Sequence, residues 1–237
     1  MGLSSGVFMP IAPAPALALF DIDGTLMRRA GPHHREALIE AIRRTTGLET
    51  STDGIPLYGM LDPDIIREML VRAGLGVRAV RAAMPEIVEL AQRIYARTCP
   101  VLERKTCPGV RRLLRACARQ GIVMELVTGN LERIGWKKVE RAGLKGYFRF
   151  GAFAGMARDR AGLVRIATRH ARAEGWIERR APVSLIGDAP ADILAARAAG
   201  ARSIAVATGL VARERLAEYS PDLLVDDLRA LRPEMML

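Results

Sequence analysis

Two rhythms divide the chain. The run Ala16 to Phe20 is apolar without interruption and reads as a strand buried on both faces. From Arg28 to about Lys105 the apolar positions recur at helical spacing, with almost no strand signal. Pro32 opens a helix carrying Ala37, Leu38, Ala41 and Ile42 inward, closed by Gly47. Glu49 to Leu61 reads as a loop. Asp62-Pro63 starts a second helix through Ile65, Ile66, Met69 and Leu70, ended by Gly74 and Gly76. Val77 to Ala83 predicts a short helix, and Pro85 opens another through Ile87, Leu90, Ala91 and Ile94.

From Cys107 onward, helix and strand alternate. Strands are predicted at Ile122 to Val127, Phe148 to Phe153, Val183 to Ile186, Ser203 to Ala207 and Leu223 to Val225. Helices are predicted at Pro108 to Gln120, Leu131 to Ala142, Leu163 to Glu174, Pro190 to Ala199 and Arg213 to Tyr219. Short apolar strands between helices indicate an α/β fold, a parallel sheet covered on both faces.

Composition narrows the function classes. The 237 residues suffice for a sizeable core, and half of them are apolar, as a globular chain requires. The net charge of +10 raises nucleic acid as a partner. However, lysine occurs only at 105, 137, 138 and 145, and the arginines are spread along the predicted helices as solvent-face partners of glutamate. Only 5% of residues are aromatic, so stacking platforms are scarce and no nucleic-acid partner is expected. Cys99, Cys107 and Cys117 show no CxxC spacing, which points to reduced thiols and a cytoplasmic setting. Met1 to Pro15 lacks a basic n-region, and cleavage near Ala16 would cut the first strand, so no leader is expected. No run approaches membrane-helix length, so no membrane partner is expected either.

The chemistry gathers at strand ends. The first strand delivers Asp21 and Asp23, followed by Gly24 and Thr25. Taken alone, this is equally compatible with an Asp-Gly turn. The second strand ends in Val127-Thr128-Gly129-Asn130, and the fourth in Gly187-Asp188, with Asp192 beyond it. In an open parallel sheet the carboxyl ends of the strands line one crevice. Carboxylates brought together there repel one another unless a cation intervenes, and hard oxygen ligands suit Mg2+. Thr128 and the amides of Gly129 and Asn130 stand at a predicted helix N-terminus, which favours phosphate oxygens.

Asp21-Ile22-Asp23-Gly24-Thr25, Thr128-Gly129-Asn130 and Gly187-Asp188 with Asp192 together resemble the haloacid dehalogenase-like (HAD) hydrolase superfamily, in its phosphoglycolate phosphatase-like branch with a helical cap. The resemblance covers nearly the whole chain past residue 15. It implies a Rossmann-like three-layer α/β/α core from 1–27 and 106–237, with 28–105 inserted as the cap. It further implies a Mg2+-dependent phosphatase of small phosphorylated metabolites. Asp21 would be the nucleophile that forms an aspartyl-phosphate, and Asp23 the acid and then the base. Thr25 would help hold Asp23, and Thr128 and the following amide would bind the phosphoryl group. The metal would sit on Asp21, the Asp23 main-chain carbonyl and Asp188, with Asp192 in the outer shell. A phosphomutase and an inactive binding protein on the same fold are the alternatives, and the chain is expected as a monomer or homodimer.

The family also needs a cation at the nucleophile. Arg160, 28 residues before Asp188, is the expected residue. Lys138 is the rival, although eight residues past Asn130 place it about 12 Å along an ideal helix. In the cap, Met60 and Leu61 replace the cation and hydroxyl that relatives often carry, making that contact less polar. His33, His34 and His170 fit no ligand spacing and are expected on the surface or in the cap; Trp136 and Trp176 are expected to pack.

Overall fold

The computed structural model describes residues 13–28 and 31–236. Residues 1–12, on which most of the expectation of no leader falls, lie outside it. Six parallel strands form one sheet: β1 (Leu17–Phe20), β2 (Val123–Leu131), β3 (Gly151–Ala154), β4 (Val183–Gly187), β5 (Arg202–Val206) and β6 (Leu223–Val225). Their spatial order is β3-β2-β1-β4-β5-β6. The order reverses at β1, so the crevice lies beyond the carboxyl ends of β1, β2 and β4. In register, Phe20 stands beside Leu126 on one side and Ile186 on the other.

Helices α1 (His33–Thr46), α2 (Asp62–Arg72) and α3 (Val77–Thr98) lie between β1 and α4 (Val110–Arg119). After them come α5 (Glu132–Arg141), α6 (Arg160–Ala173), α7 (Pro190–Ala199) and α8 (Arg213–Ala217). Strand alternation builds the two faces. Ala18 and Phe20 of β1 join the core that includes Leu113 of α4 and Val139 of α5. Leu17 and Leu19 join the core that includes Val164 of α6 and Ala196 of α7. At the first crossing out of the core and back, Arg28 N–H donates to the Lys105 carbonyl at 2.8 Å, and Met27 bridges Thr106.

Four element boundaries differ from the sequence reading. Pro85 lies inside the single helix α3 rather than opening a new one. Val80, Ile87, Ala91 and Tyr95 form one continuous buried stripe, whose packing outweighs the lost proline hydrogen bond. β2 runs on through Leu131, so α5 starts at Glu132 and Thr128-Gly129-Asn130 is extended backbone rather than a helix turn. β3 is shorter than Phe148 to Phe153, because Tyr147 and Phe148 are still in a turn that bonds back to Leu144 and Lys145. α6 begins at Arg160, three residues early, with Asp159 as its cap accepting from Gly162 N–H at 2.6 Å.

One polar side chain interrupts the core between the sheet and α6. Glu125 of β2 is fully buried, and neither carboxylate oxygen has a hydrogen-bond partner among the described residues. His170 Nδ1 stands 3.6 Å from Oε1, its ring stacked on Phe150 at 3.8 Å between centroids. Burial pushes Glu125 up to about 8. The three cysteines are free and buried, and no helix of the described residues is long and apolar enough to cross a membrane.

Candidate active site

The strand ends bring the predicted carboxylates together. Asp21, Asp188 and Asp192 are buried, and each offers an oxygen within 4.8 Å of the others. Asp21 leaves β1 where Gly24 turns the chain at φ +84°. A Cβ on Gly24 would stand 2.1 Å from Asp188 Oδ2, so glycine serves both the turn and the close approach. Thr25 Oγ1 donates to Asp188 Oδ1 at 3.2 Å. The expectation that Thr25 holds Asp23 is therefore corrected: the hydroxyl leaves the turn on the Asp188 side.

Arg160 reaches into this cluster from the first residue of α6. Its guanidinium lies 2.7 Å from Asp21 Oδ1 and 2.6 Å from Asp192 Oδ1. Asp192 Oδ2 also accepts from Ala189 N–H at 3.1 Å. Three carboxylates thus face one cation. Burial pushes Asp21 up to about 7; Arg160 pulls the other way, while the charges of Asp192 and Asp23 add to the rise. Burial, Asp21 and Asp192 hold Asp188 well above the ordinary value, against the pull of Arg160. Burial also works against the charge on Arg160, but Asp192 and Asp21 outweigh it and keep the guanidinium charged.

Asp23 has the opposite surroundings. Lys138 Nζ donates to its Oδ2 at 2.5 Å, and Asn130 Nδ2 donates to the same oxygen at 2.8 Å. Burial tends to raise Asp23, but the charge of Lys138, with the hydrogen bonds from Lys138 and Asn130, outweighs it and holds the carboxyl below its ordinary value. Lys138 is itself buried and also donates to Asn130 Oδ1 at 2.6 Å. Asn130 Nδ2 further donates to Thr128 Oγ1 at 2.7 Å within the end of β2, while its bond to Asp23 ties that strand end to the end of β1. Both candidate cations therefore reach the site, one at each aspartate. A side chain pointing back along α5 from a buried position overcomes the axial offset of Lys138.

His34 and Asp62 are parts of the site that the sequence reading missed. His34 Nδ1 stands 3.1 Å from Lys138 Nζ, and His34 Nε2 stands 3.0 Å from Asp62 Oδ2. Lysine can only donate, so Nδ1 accepts and Nε2–H donates. Asp62 Oδ2 also accepts from Leu131 N–H at 2.8 Å. This oxygen, from the first residue of α2, thus joins α1 to the end of β2. Gly129 makes room for the same approach: a Cβ there would stand 2.1 Å from the Met60 carbonyl. A helix-start aspartate and a lone histidine carry no local signal of such a role; only the closed packing of α1 and α2 over β2 shows it. His33 and His170 stay outside the site, and Trp136 packs on Phe153 and Trp176 on His170.

Above these residues opens a cavity of about 730 Å³, lined by Asp21, Asp23, Thr128, Asn130, Arg160 and Asp188 among others. All six are residues named from the sequence. The oxygen donor set, its burial and its excess negative charge fit a hard divalent cation. Arg160 and the Ala189 amide hold Asp192, which does not line the cavity, whereas Asp21 and Asp188, though Arg160 and Thr25 each engage one of their oxygens, do line it and are the carboxylates placed to face such a cation.

Known proteins agree with this geometry. The family model described as haloacid dehalogenase-like hydrolase matches residues 15–200. The chain is similar to a phosphoglycolate phosphatase of Agrobacterium fabrum, 28% identical over 240 residues, covering 96% of this chain and 95% of the relative. It is similar to one from Pseudomonas fluorescens, also 28% identical, with 92% and 79% covered. Among solved structures it resembles β-phosphoglucomutase of Clostridium difficile, with a TM-score of 0.68, 20% identity and 94% and 95% covered; that likeness shows the fold. The chain belongs to the haloacid dehalogenase-like hydrolases.

Proposed function

We propose that the protein is a Mg2+-dependent phosphatase of small phosphorylated metabolites that works through an aspartyl-phosphate on Asp21. The observation that carries this is the split between the two aspartates. One strand end holds a carboxylate beside Arg160 and an acidic cluster, and another beside Lys138 and Asn130. Such opposed environments assign opposed tasks. Bound at Asp21, Asp188 and the Asp23 carbonyl, Mg2+ would supply the charge that ionises Asp21 and shields it from an anionic phosphoryl group.

Asp21 attacks phosphorus and the bond to the leaving oxygen breaks, while Arg160 and the Thr128, Gly129 and Asn130 groups hold the phosphoryl oxygens. Asp23 gives its proton to the leaving alkoxide. Its surroundings hold it below its ordinary value, and the phosphoryl dianion of a seated substrate raises its proton affinity. After the alcohol leaves, the Asp23 carboxylate takes a proton from the water that attacks phosphorus and regenerates Asp21. Asp192 holds Arg160 in place. Lys138 fixes the Asp23 carboxyl group through Oδ2 in both steps, as the acid in the first and the carboxylate in the second.

We further assign 28–105 as a cap and 1–27 with 106–237 as the core, with the paired crossings at Met27 and Thr106 as the hinge. The Asp62 and His34 hydrogen bonds close the cap onto β2 and α5. The test is phosphate release from phosphoglycolate, sugar phosphates and nucleotides, with and without Mg2+, against Asp21→Asn. Release is expected to require the metal and to vanish in the variant; release that persists in EDTA would overturn the mechanism.

A further inference from the structure

The cavity is larger and less polar than a phosphoryl site needs, and its walls are sorted by chemistry. The reacting carboxylates sit among β1, β2 and β4, as described. Leu38 of α1, Ile65 of α2 and Met60 of the loop between them form an apolar wall. Leu57, Tyr58 and Leu210 line the same cavity, and all three are among the large hydrophobic side chains left exposed, Tyr58 at 51% and Leu210 at 62%. Apolar groups gathered at one opening mark a surface that a ligand covers.

Four basic side chains line the cavity as well. Arg28 and Lys105 come from the paired crossings, Arg104 from beside them and Arg35 from the first turn of α1. All four are exposed, and none forms an ion pair among the described residues. Some exposed arginines elsewhere pair with a carboxylate, as Arg43 and Arg44 do with Glu40 and Arg72 with Glu68, and others do not, so it is their gathering at one cavity that sets these four apart. Four unpaired cations around one cavity attract anions and focus them there. The phosphoryl group already has Arg160 and the strand-end donors, so these cations await a different negative group.

We propose that the substrate is a phosphate monoester whose leaving group has an apolar body and a second anionic group. The body lies on Leu38, Tyr58, Met60 and Ile65, and the second anion meets Arg28, Arg104 and Lys105. This rests on the phosphatase reading above and sharpens it. A volume of about 730 Å³ falls in the range that encloses a ligand of several rings rather than a two-carbon acid. Met60, in the loop that presses on Gly129, then selects for an apolar surface next to the reacting phosphate.

Three substrates separate the two claims. Benzyl phosphate presents the apolar body, 4-carboxybenzyl phosphate adds a remote carboxylate with little change at the leaving oxygen, and phosphoglycolate presents the charge without the body. The expected kcat/KM is highest for 4-carboxybenzyl phosphate, at least about tenfold above each of the others, with the margin over benzyl phosphate shrinking as salt rises. In the triple variant Arg28→Ser, Arg104→Ser, Lys105→Ser that margin is expected to fall to about onefold. Equal values for the two benzyl compounds in the wild type would overturn the second anion, as would a margin that survives the triple variant. A preference for phosphoglycolate would overturn the apolar body. Hydrolysis of none of the three, with Mg2+ present, would instead remove the phosphatase reading and this proposal with it.

Discussion

Glu125→Gln isolates the cost of one buried carboxyl in the sheet that carries the site. Burial moves Glu125 from 4.5 up to about 8, and no hydrogen bond compensates it among the described residues. The sign follows from counting protons. Between these two values the unfolded chain carries the carboxylate while the native chain keeps the proton, so the native state holds the extra one. The stability attached to the group is complete below 4.5 and is lost as the pH rises through 8. Each pH unit inside that window costs about 1.36 kcal/mol, so the whole window is worth on the order of 5 kcal/mol. The step from about pH 5.5 to about 7.5 is worth about 2–3 kcal/mol. Urea unfolding of wild type and Glu125→Gln across this range gives the difference directly. The contributions of Asp21, Asp188 and Asp192 are common to both proteins and cancel. The buried amide has its own cost, but that cost does not change with pH. The stability of the variant relative to wild type is expected to rise steadily with pH by that amount. Two curves that stay parallel would show that Glu125 is ionised and solvated in the native protein, and the reasoning would fail.

Further expectations concern the site. Lys138→Met removes the donor that holds Asp23 down, so Asp23 moves up, the rise of kcat with pH shifts to higher pH, and kcat falls about 10²–10³-fold; an unmoved pH profile would count against the pairing. Thr25→Val removes the hydrogen bond to Asp188 and is expected to raise the Mg2+ concentration for half-maximal activity about 10–100-fold, with kcat at saturating metal little changed. If instead kcat falls at every metal concentration, Thr25 acts on Asp23. Asp62→Ala leaves the Leu131 N–H and the His34 Nε2–H without their acceptor, costing about 1–3 kcal/mol in urea unfolding and raising KM through a looser cap.

Much of this was legible because the relevant signals are local. The apolar run from Ala16 to Phe20 marks a buried strand, and glycines mark the ends of α1 and α7. What was not legible depends on packing across the fold. Pro85 argues for a helix start by local rules, yet the buried stripe from Val80 to Tyr95 carries α3 through it. Thr25 could face either neighbouring acid, and only the turn at Gly24 directs it to Asp188. Lys138 and Arg160 competed on spacing for one place, whereas the structure gives each its own aspartate. His34 and Asp62 enter only when α1 and α2 close over β2, a contact between residues far apart in the chain.

The central claim is the covalent step on Asp21. Acid quench during steady turnover, followed by borohydride reduction and peptide mass spectrometry, reads it directly, because an acyl phosphate is reduced where a free carboxylate is not. The account predicts homoserine at position 21 and an unmodified residue at position 23. Reduction at 23, or turnover that leaves position 21 unmodified, would contradict it.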